Sequence, residues 1–356
     1  MDIVALAGLV GHSTSSVPGL LATVSAHADA VTEDVLQPLT WASAPRTWVF
    51  EPVPALAVAI VGWLYVAGVL RMRRRGDHWP IGRSLAFLVG GLGTLLIATQ
   101  SFLAAYDDVL LSVHMGQHML LAMVAPIFLA LGAPITLALR TLRGSSRRLL
   151  LRVIHSRVAA VLTFPLVAGA IYIINPWVLY YSPLYEATLR NPLLHDLNHL
   201  HFVLVGCLWF WALLGIDPLP NRPSYPMRLI ALFAMLPFHA FLGVTIMDSP
   251  RLLAEDYYVG LHRTWGDSLL ADQQMAGGLL WSSGDSMAIV LLAVIFVQWS
   301  RASDREARAI DRRLDLAEDR AAAAAAAAAA VPVSVADTGP GTAVATVPGG
   351  QGPRAP

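Results

Sequence analysis

Seven apolar runs, separated by polar or proline-broken connections, dominate the chain at residues 52–70, 84–105, 109–131, 158–181, 192–215, 226–247 and 275–299. Each holds the roughly 20 mostly apolar residues that an α-helix needs to cross a bilayer. The pattern predicts an all-α polytopic membrane protein, a seven-transmembrane-helix bundle filling residues 51–300. Several ends carry punctuation. Asn191 before Pro192 reads as an N-cap followed by a proline in the first turn, where its missing N–H costs nothing. Asp217-Pro218-Leu219-Pro220 stops the same helix, and Gly132-Ala133-Pro134 stops the third, leaving residues 135–139 near the interface.

Composition sharpens the picture by exclusion. Of 356 residues, 56% are hydrophobic and only 13% charged, about half the charge of a soluble domain. An ordinary water-soluble enzyme is ruled out. All 24 basic residues are Arg. Without Lys there is no Schiff base, and so no retinal-binding or pyridoxal chemistry. Cys207, the single cysteine, lies inside an apolar run, so neither an intrachain disulfide nor a CxxC pair can form. A net charge of zero gives no argument for nucleic acid as a partner.

The arginines carry orientation, because cytoplasmic loops retain positive charge. Arg71, Arg73, Arg74, Arg75 and Arg83 follow the first run, six from Arg140 to Arg157 follow the third, Arg222 and Arg228 follow the fifth, and six from Arg301 to Arg320 follow the seventh. Nineteen of 24 fall on one side, against Arg46, Arg190, Arg251 and Arg263 on the other. The expected topology is N-terminus out and C-terminus in. Residues 1–50 then form an extracytoplasmic arm. Its first 28 residues end in Ser25-Ala26-His27-Ala28, like a signal-peptide cleavage site, but lack a basic n-region. Residues 301–320 mix both charge signs at helical spacing and are expected to prolong the last helix into the cytoplasm. Residues 321–356, ten alanines and a Pro/Gly/Val/Thr segment, are expected to form a disordered tail.

Seven of the eleven His lie toward outer ends of the runs. His114 and His118 open the third, and His195, His199 and His201 open the fifth. His239 is in the outer half of the sixth and His262 in the outer loop before the seventh. Counted along the helix, His118, His199, His201 and His239 lie roughly 10 to 14 Å below the ends of their runs. Ionisable groups in hydrocarbon are costly and usually face the bundle interior or a wet cavity, so three helices converging at one depth point to a shared site.

His114-Met115-Gly116-Gln117-His118-Met119 sets two His and two Met at i, i+4 on adjoining faces. Imidazole with thioether suits Cu(I), with zinc a competitor for the imidazoles. The same methionines also serve as core packing. In His195-Asp196-Leu197-Asn198-His199-Leu200-His201, His195 and His199 share a face while His201 points about 200° from His199. Asp196 and Asn198 can orient a ligating imidazole through its second nitrogen. Asp285, about 15 Å into the last run, needs a partner or a proton at that depth. Asp272, just ahead of that run, reads as an N-cap.

Chemistry narrows the classes. An intramembrane zinc protease needs HExxH with Glu as general base, and Met115 occupies that position. A membrane di-iron hydroxylase uses several HxxxH-type boxes on the cytoplasmic side. Here HxxxH occurs once and HxxxHxH once, both facing outward. A bis-His haem protein needs two His on neighbouring helices at one depth, which several pairs satisfy. A copper importer or resistance protein would use the His/Met site as a conduction path. With no hydrolase template or nucleotide loop, a role without catalytic turnover is expected.

The stretches Gln100-Ser101-Phe102-Leu103-Ala104-Ala105-Tyr106-Asp107 and Ser112-Val113-His114-Met115-Gly116-Gln117-His118 are followed by Leu131-Gly132-Ala133-Pro134, His199 and His201-Phe202. Pro237-Phe238-His239-Ala240 and Ala271-Asp272-Gln273-Gln274 come later. In this order, over roughly residues 48–313, the chain resembles the CtaG family of cytochrome c oxidase assembly factors, the multi-spanning kind associated with caa(3)-type oxidases. The resemblance implies a protein of the bacterial plasma membrane that helps to mature a copper-containing oxidase by handling copper on the outer face. Its implied partners are oxidase subunits and the lipid bilayer. A thiolate relay is not implied, because Cys207 stands alone.

Overall fold

The computed structural model describes residues 37–220 and 223–329. The signal-like first 28 residues and the tail from residue 330 lie outside them. Among the described residues the chain is helical and forms no sheet, a lone antiparallel bridge joining Trp48 to Ser101. The apolar runs become α1 (Pro52–Arg73), α2 (Ile81–Gln100), α3 (Leu111–Leu131), α4 (Pro165–Tyr180), α5 (Pro192–Leu214), α6 (Tyr225–Met247) and α7 (Leu269–Ala329). Six of them are long and apolar enough to cross a membrane. The exception is α4, an apolar helix of 16 residues.

The shortness of α4 has a local cause. The fourth run breaks at Thr163-Phe164-Pro165, because the proline ring pushes Phe164 out of the helical region to φ −66° and ψ 126°. A separate helix, Arg157–Leu162, takes the first residues, its start capped by the Ser156 hydroxyl, which accepts from Ala159 N–H at 3.1 Å. What remains is about 24 Å long. A similar break ends α2 at Gln100, short of the predicted Ala105. Ser101 is extended and its hydroxyl accepts from Leu103 N–H at 3.3 Å, while the Gln100 amide exchanges two 3.0 Å bonds with the Glu51 backbone ahead of α1.

The axis of the bundle is α3, with 78% of its most apolar window buried against 11% for α1. Residues Leu120–Val124 within it are π-helical. Next to it, α5 packs so closely that a Cβ on Gly206 would lie 2.1 Å from the Ala122 carbonyl oxygen. Only glycine fits there. The antiparallel pair α6 and α7 cross at Gly243 and Gly277, and Gly277 also abuts Met247.

Two aspartates fasten the ends of this central segment. Asp272, in the first turn of α7, accepts from Leu111 N–H at 2.7 Å, Ser112 N–H at 3.3 Å and the Ser112 hydroxyl. It therefore caps α3 rather than its own helix, whose first turn is capped by Ser268, Ala271 N–H donating to Oγ at 3.2 Å. At the other end Asp217, fully buried after α5, accepts from Thr136 N–H at 2.8 Å, the Thr136 hydroxyl at 2.5 Å, Trp211 Nε1–H at 2.9 Å and Ile135 N–H at 3.3 Å. That caps the short helix Pro134–Thr141, which follows α3 after a left-handed Ala133.

Residues up to Trp299 form one compact unit and those from Ser300 a second. Taken by itself, the second is helical over its described residues, 300–329, and nearly all of residues 300–327 are exposed. The alanines 321–329, expected in a disordered tail, continue that helix. Alanine has the highest helix propensity of any residue, which overrides the low complexity of the run.

Candidate metal centre

Four imidazoles meet where the first turns of α3 and α5 lie side by side. On α3 a four-residue spacing puts His114 and His118 on one face, ring centroids 4.1 Å apart, and on α5 the same spacing sets His195 and His199 at 4.3 Å. Distances of 5.7 Å from His114 to His195 and 5.6 Å from His118 to His199 close the figure. His114, His118 and His199 are buried and His195 is partly so.

Asp107, in the turn between the short helix Phe102–Tyr106 and α3, adds a carboxylate. Its Oδ2 lies 3.2 Å from His195 Nε2 and 4.0 Å from His199 Nε2. Asp108 Oδ1 is 3.4 Å from His195 Nδ1, so both nitrogens of that ring face carboxylates, and a cation between Nε2 and Asp107 would take the place of the ring's proton there. Burial alone would raise the Asp107 carboxyl, but the imidazoles of His195, His199 and His114 outweigh it and hold the group below its ordinary value.

Tyr180, at the end of α4, sets the tautomer of His118. Its hydroxyl lies 2.8 Å from His118 Nδ1 and donates to Met115 Sδ at 3.5 Å. With that proton directed to sulfur, the oxygen accepts Nδ1–H and leaves His118 Nε2 as a bare lone pair. This nitrogen has no hydrogen-bond partner, nor does His199 Nε2 or either ring nitrogen of His114. Buried polar atoms are ordinarily paired, so four orphan nitrogens beside one carboxylate mark a place that takes a ligand. Asp107, His195 and His199 already bring one ligand atom each within 4.8 Å of one another, close enough to hold a metal ion. Imidazole with carboxylate is a borderline donor set, suited to copper and zinc.

Two short helices cover this cage. Tyr185 of Leu184–Arg190 lies over His114 with ring centroids 5.2 Å apart, and its hydroxyl meets that of Tyr258, from Glu255–Gly260, at 2.7 Å. Burial raises both phenols well above their ordinary value, so the bond is neutral.

Of the residues singled out in the sequence, His114, His118, His195 and His199 come together and three other histidines do not. His201 is exposed on the far side of α5, its Nε2 2.7 Å from Asn175 Oδ1, and His262 sits in an exposed left-handed turn, its Nδ1 2.7 Å from the Gly260 carbonyl. His239 lies beside Gly284 and lines a cavity with Asp285. Depth counted from the end of α6 does not compare with depth along α3, because the two helix ends are not level. Asp272 is level with Leu111, whereas Met247 abuts Gly277, five residues or about 7.5 Å further along α7.

Met115 is buried as the acceptor for Tyr180, and Met119 packs between two core clusters. Asp196 and Asn198 are half-buried on α5, while the hydrogen bonds described for cage rings run to Asp107 and Tyr180. Asp107 escaped sequence reasoning because it lies in the turn ahead of α3, where helical spacing does not fix which way a side chain faces. Tyr180 and Tyr185 gave no signal, because they reach the cage only through the packing of α4 and the short helix after it.

Fold and site together define a multi-pass membrane protein with a buried cage of imidazole and carboxylate at one end of its bundle. The chain belongs to the cytochrome c oxidase caa3 assembly factor family (Caa3_CtaG), whose model matches residues 63–302. It is 36% identical over 286 residues to an uncharacterized protein of Mycobacterium bovis, covering 78% of this chain and 43% of that protein. With one of Mycobacterium leprae it shares 35% identity over 275 residues, covering 75% and 42%. The chain thus spans less than half the length of these relatives. No solved structure matches it.

Proposed function

We propose that the protein holds copper at the cage as cargo for a cytochrome c oxidase, without catalytic turnover, and that the cage faces outward from the bacterial plasma membrane. In this reading α4 completes a bundle of seven spans, and the arginine bias sets the N-terminus out and the C-terminus in. The observation that carries it is the set of four orphan ring nitrogens next to the Asp107 carboxylate. Asp107, His195 and His199 would hold the ion, His114 and His118 offering further imidazoles, while Asp108 and Tyr180 orient rings. Family membership supplies the recipient class, an oxidase that depends on an assembly factor.

The test is complementation of a deletion strain under copper limitation, with oxidase-bound copper and oxidase activity as readouts. Without the protein, oxidase polypeptides should be present but poorly metallated. Wild type should restore them and a His118→Ala/His199→Ala variant should not. Full activity with that variant, normally expressed, would make the histidines structural. For orientation, a cysteine introduced at Ser145 should be protected from an impermeant thiol reagent in intact cells and one at Leu253 should react.

A further inference from the structure

Deeper in the bundle a second polar site faces a cavity of about 40 Å³, enough for a few waters or one small ion. Among its lining residues are His239 of α6, Asp285 and Met287 of α7, and Met123 of α3. His239 Nδ1 and Asp285 Oδ1 are buried with no hydrogen-bond partner. Gly284 makes the juxtaposition possible, since a Cβ there would lie 2.0 Å from His239 Nδ1. Level is given by the helix pairings. Asp272 meets Leu111, so Asp285 lies about 20 Å below that plane while His118 lies about 10 Å below it.

A carboxylate at such depth needs a positive partner. No Arg lines the cavity and the chain has no Lys, so a proton or a bound cation must serve. The thioether of Met123 distinguishes the two. Sulfur of Met does not take up a proton near neutral pH, but with imidazole it suits a soft cation. We propose that this cavity is a second metal site, taking a monovalent soft cation, Cu(I), between His239, Asp285 and the thioether of Met123.

Met115, Met119 and Met123 recur every four residues along α3, joining the level of the cage to that of the cavity. Packing explains such a stripe equally well on its own. Here its two ends stand at separate groups of orphan polar atoms, ring nitrogens at the cage and His239 Nδ1 with Asp285 Oδ1 at the cavity. As a second station on a path from the cage, the site rests on the cage holding copper. As a binding site it does not.

The full-length protein in lipid nanodiscs is titrated with Cu(I) against a chromogenic Cu(I) chelator under reducing conditions, and then with Ag(I). Wild type should hold two equivalents. His118→Ala/His199→Ala should retain one, which His239→Gln/Asp285→Asn in the same background should abolish. His239→Gln/Asp285→Asn alone should keep one equivalent at the cage, which also certifies its fold. If that pair does not fold, Met123→Leu in the cage-disabled background should weaken Ag(I) about tenfold, and unchanged affinity would overturn the site. Retention of the copper after His239 and Asp285 are replaced, or no copper at all once the cage is disabled, overturns the second site while leaving the cage intact. A single equivalent that is lost with His239 and not with His118 and His199 would do the reverse.

Discussion

Asp107 and Asp217 are both buried carboxylates at the ends of the same central segment, and they do opposite things. Asp217 takes four donors from the backbone and side chains of Ile135, Thr136 and Trp211. Its acceptor capacity is filled from within, and its work is to hold a helix start in place. Asp107 instead faces His195 and His199, beside buried ring nitrogens that no hydrogen bond fills. Depth and charge are alike, so neither separates scaffold from site. Satisfaction of hydrogen bonds does.

The contrast breaks most visibly at the filled carboxylate. Asp217→Ala leaves several buried donors without an acceptor and should cost about 3 to 5 kcal/mol, seen as a lower thermal midpoint in detergent and a lower folded yield. Copper per folded molecule should be unchanged. Asp272→Ala removes the cap of the helix that bears His114 and His118, and should cost about 1 to 2 kcal/mol. It should also loosen copper, since it acts on both scaffold and cage. His114→Leu removes two nitrogens that lack any well-formed hydrogen bond, so apo stability should hold or rise, while copper affinity falls about tenfold by chelator competition. A drop in apo stability comparable to that of Asp217→Ala would erase the distinction. The smallest effect is expected from Tyr180→Phe, about 1 kcal/mol with a several-fold weakening of copper, because only the tautomer of His118 is released.

Much of this was legible in the chain. Among the described residues hydropathy found the six helices long and apolar enough to cross a membrane, and the Asn191-Pro192 start of α5 was readable because capping is local; Leu194 N–H does donate to Asn191 Oδ1 at 3.2 Å. Breaks were harder. A hydropathy window sums side chains and is blind to what one proline does to Phe164 or one glutamine to Glu51. The HxxxH spacing on α3 and α5 gave the four cage histidines, since that spacing fixes which residues share a face. It could not give relative helix levels, which is why His239 was assigned to the wrong cluster. Asp272 was read as the cap of its own helix, because a sequence shows a cap beside the turn it precedes and not the helix across the bundle.

The Tyr185 and Tyr258 hydroxyl pair has a consequence in time rather than in affinity. These residues tie together the two short helices that roof the cage, and His114 and His118 beneath them are wholly buried. An occupant that leaves past His114 would part that roof and break a buried neutral hydrogen bond. How tightly the imidazoles grip and how long an occupant stays are then set by different residues. A lid that opens only when another surface offers its own groups to those two tyrosines would hold its load through random encounters and release it at a docking event.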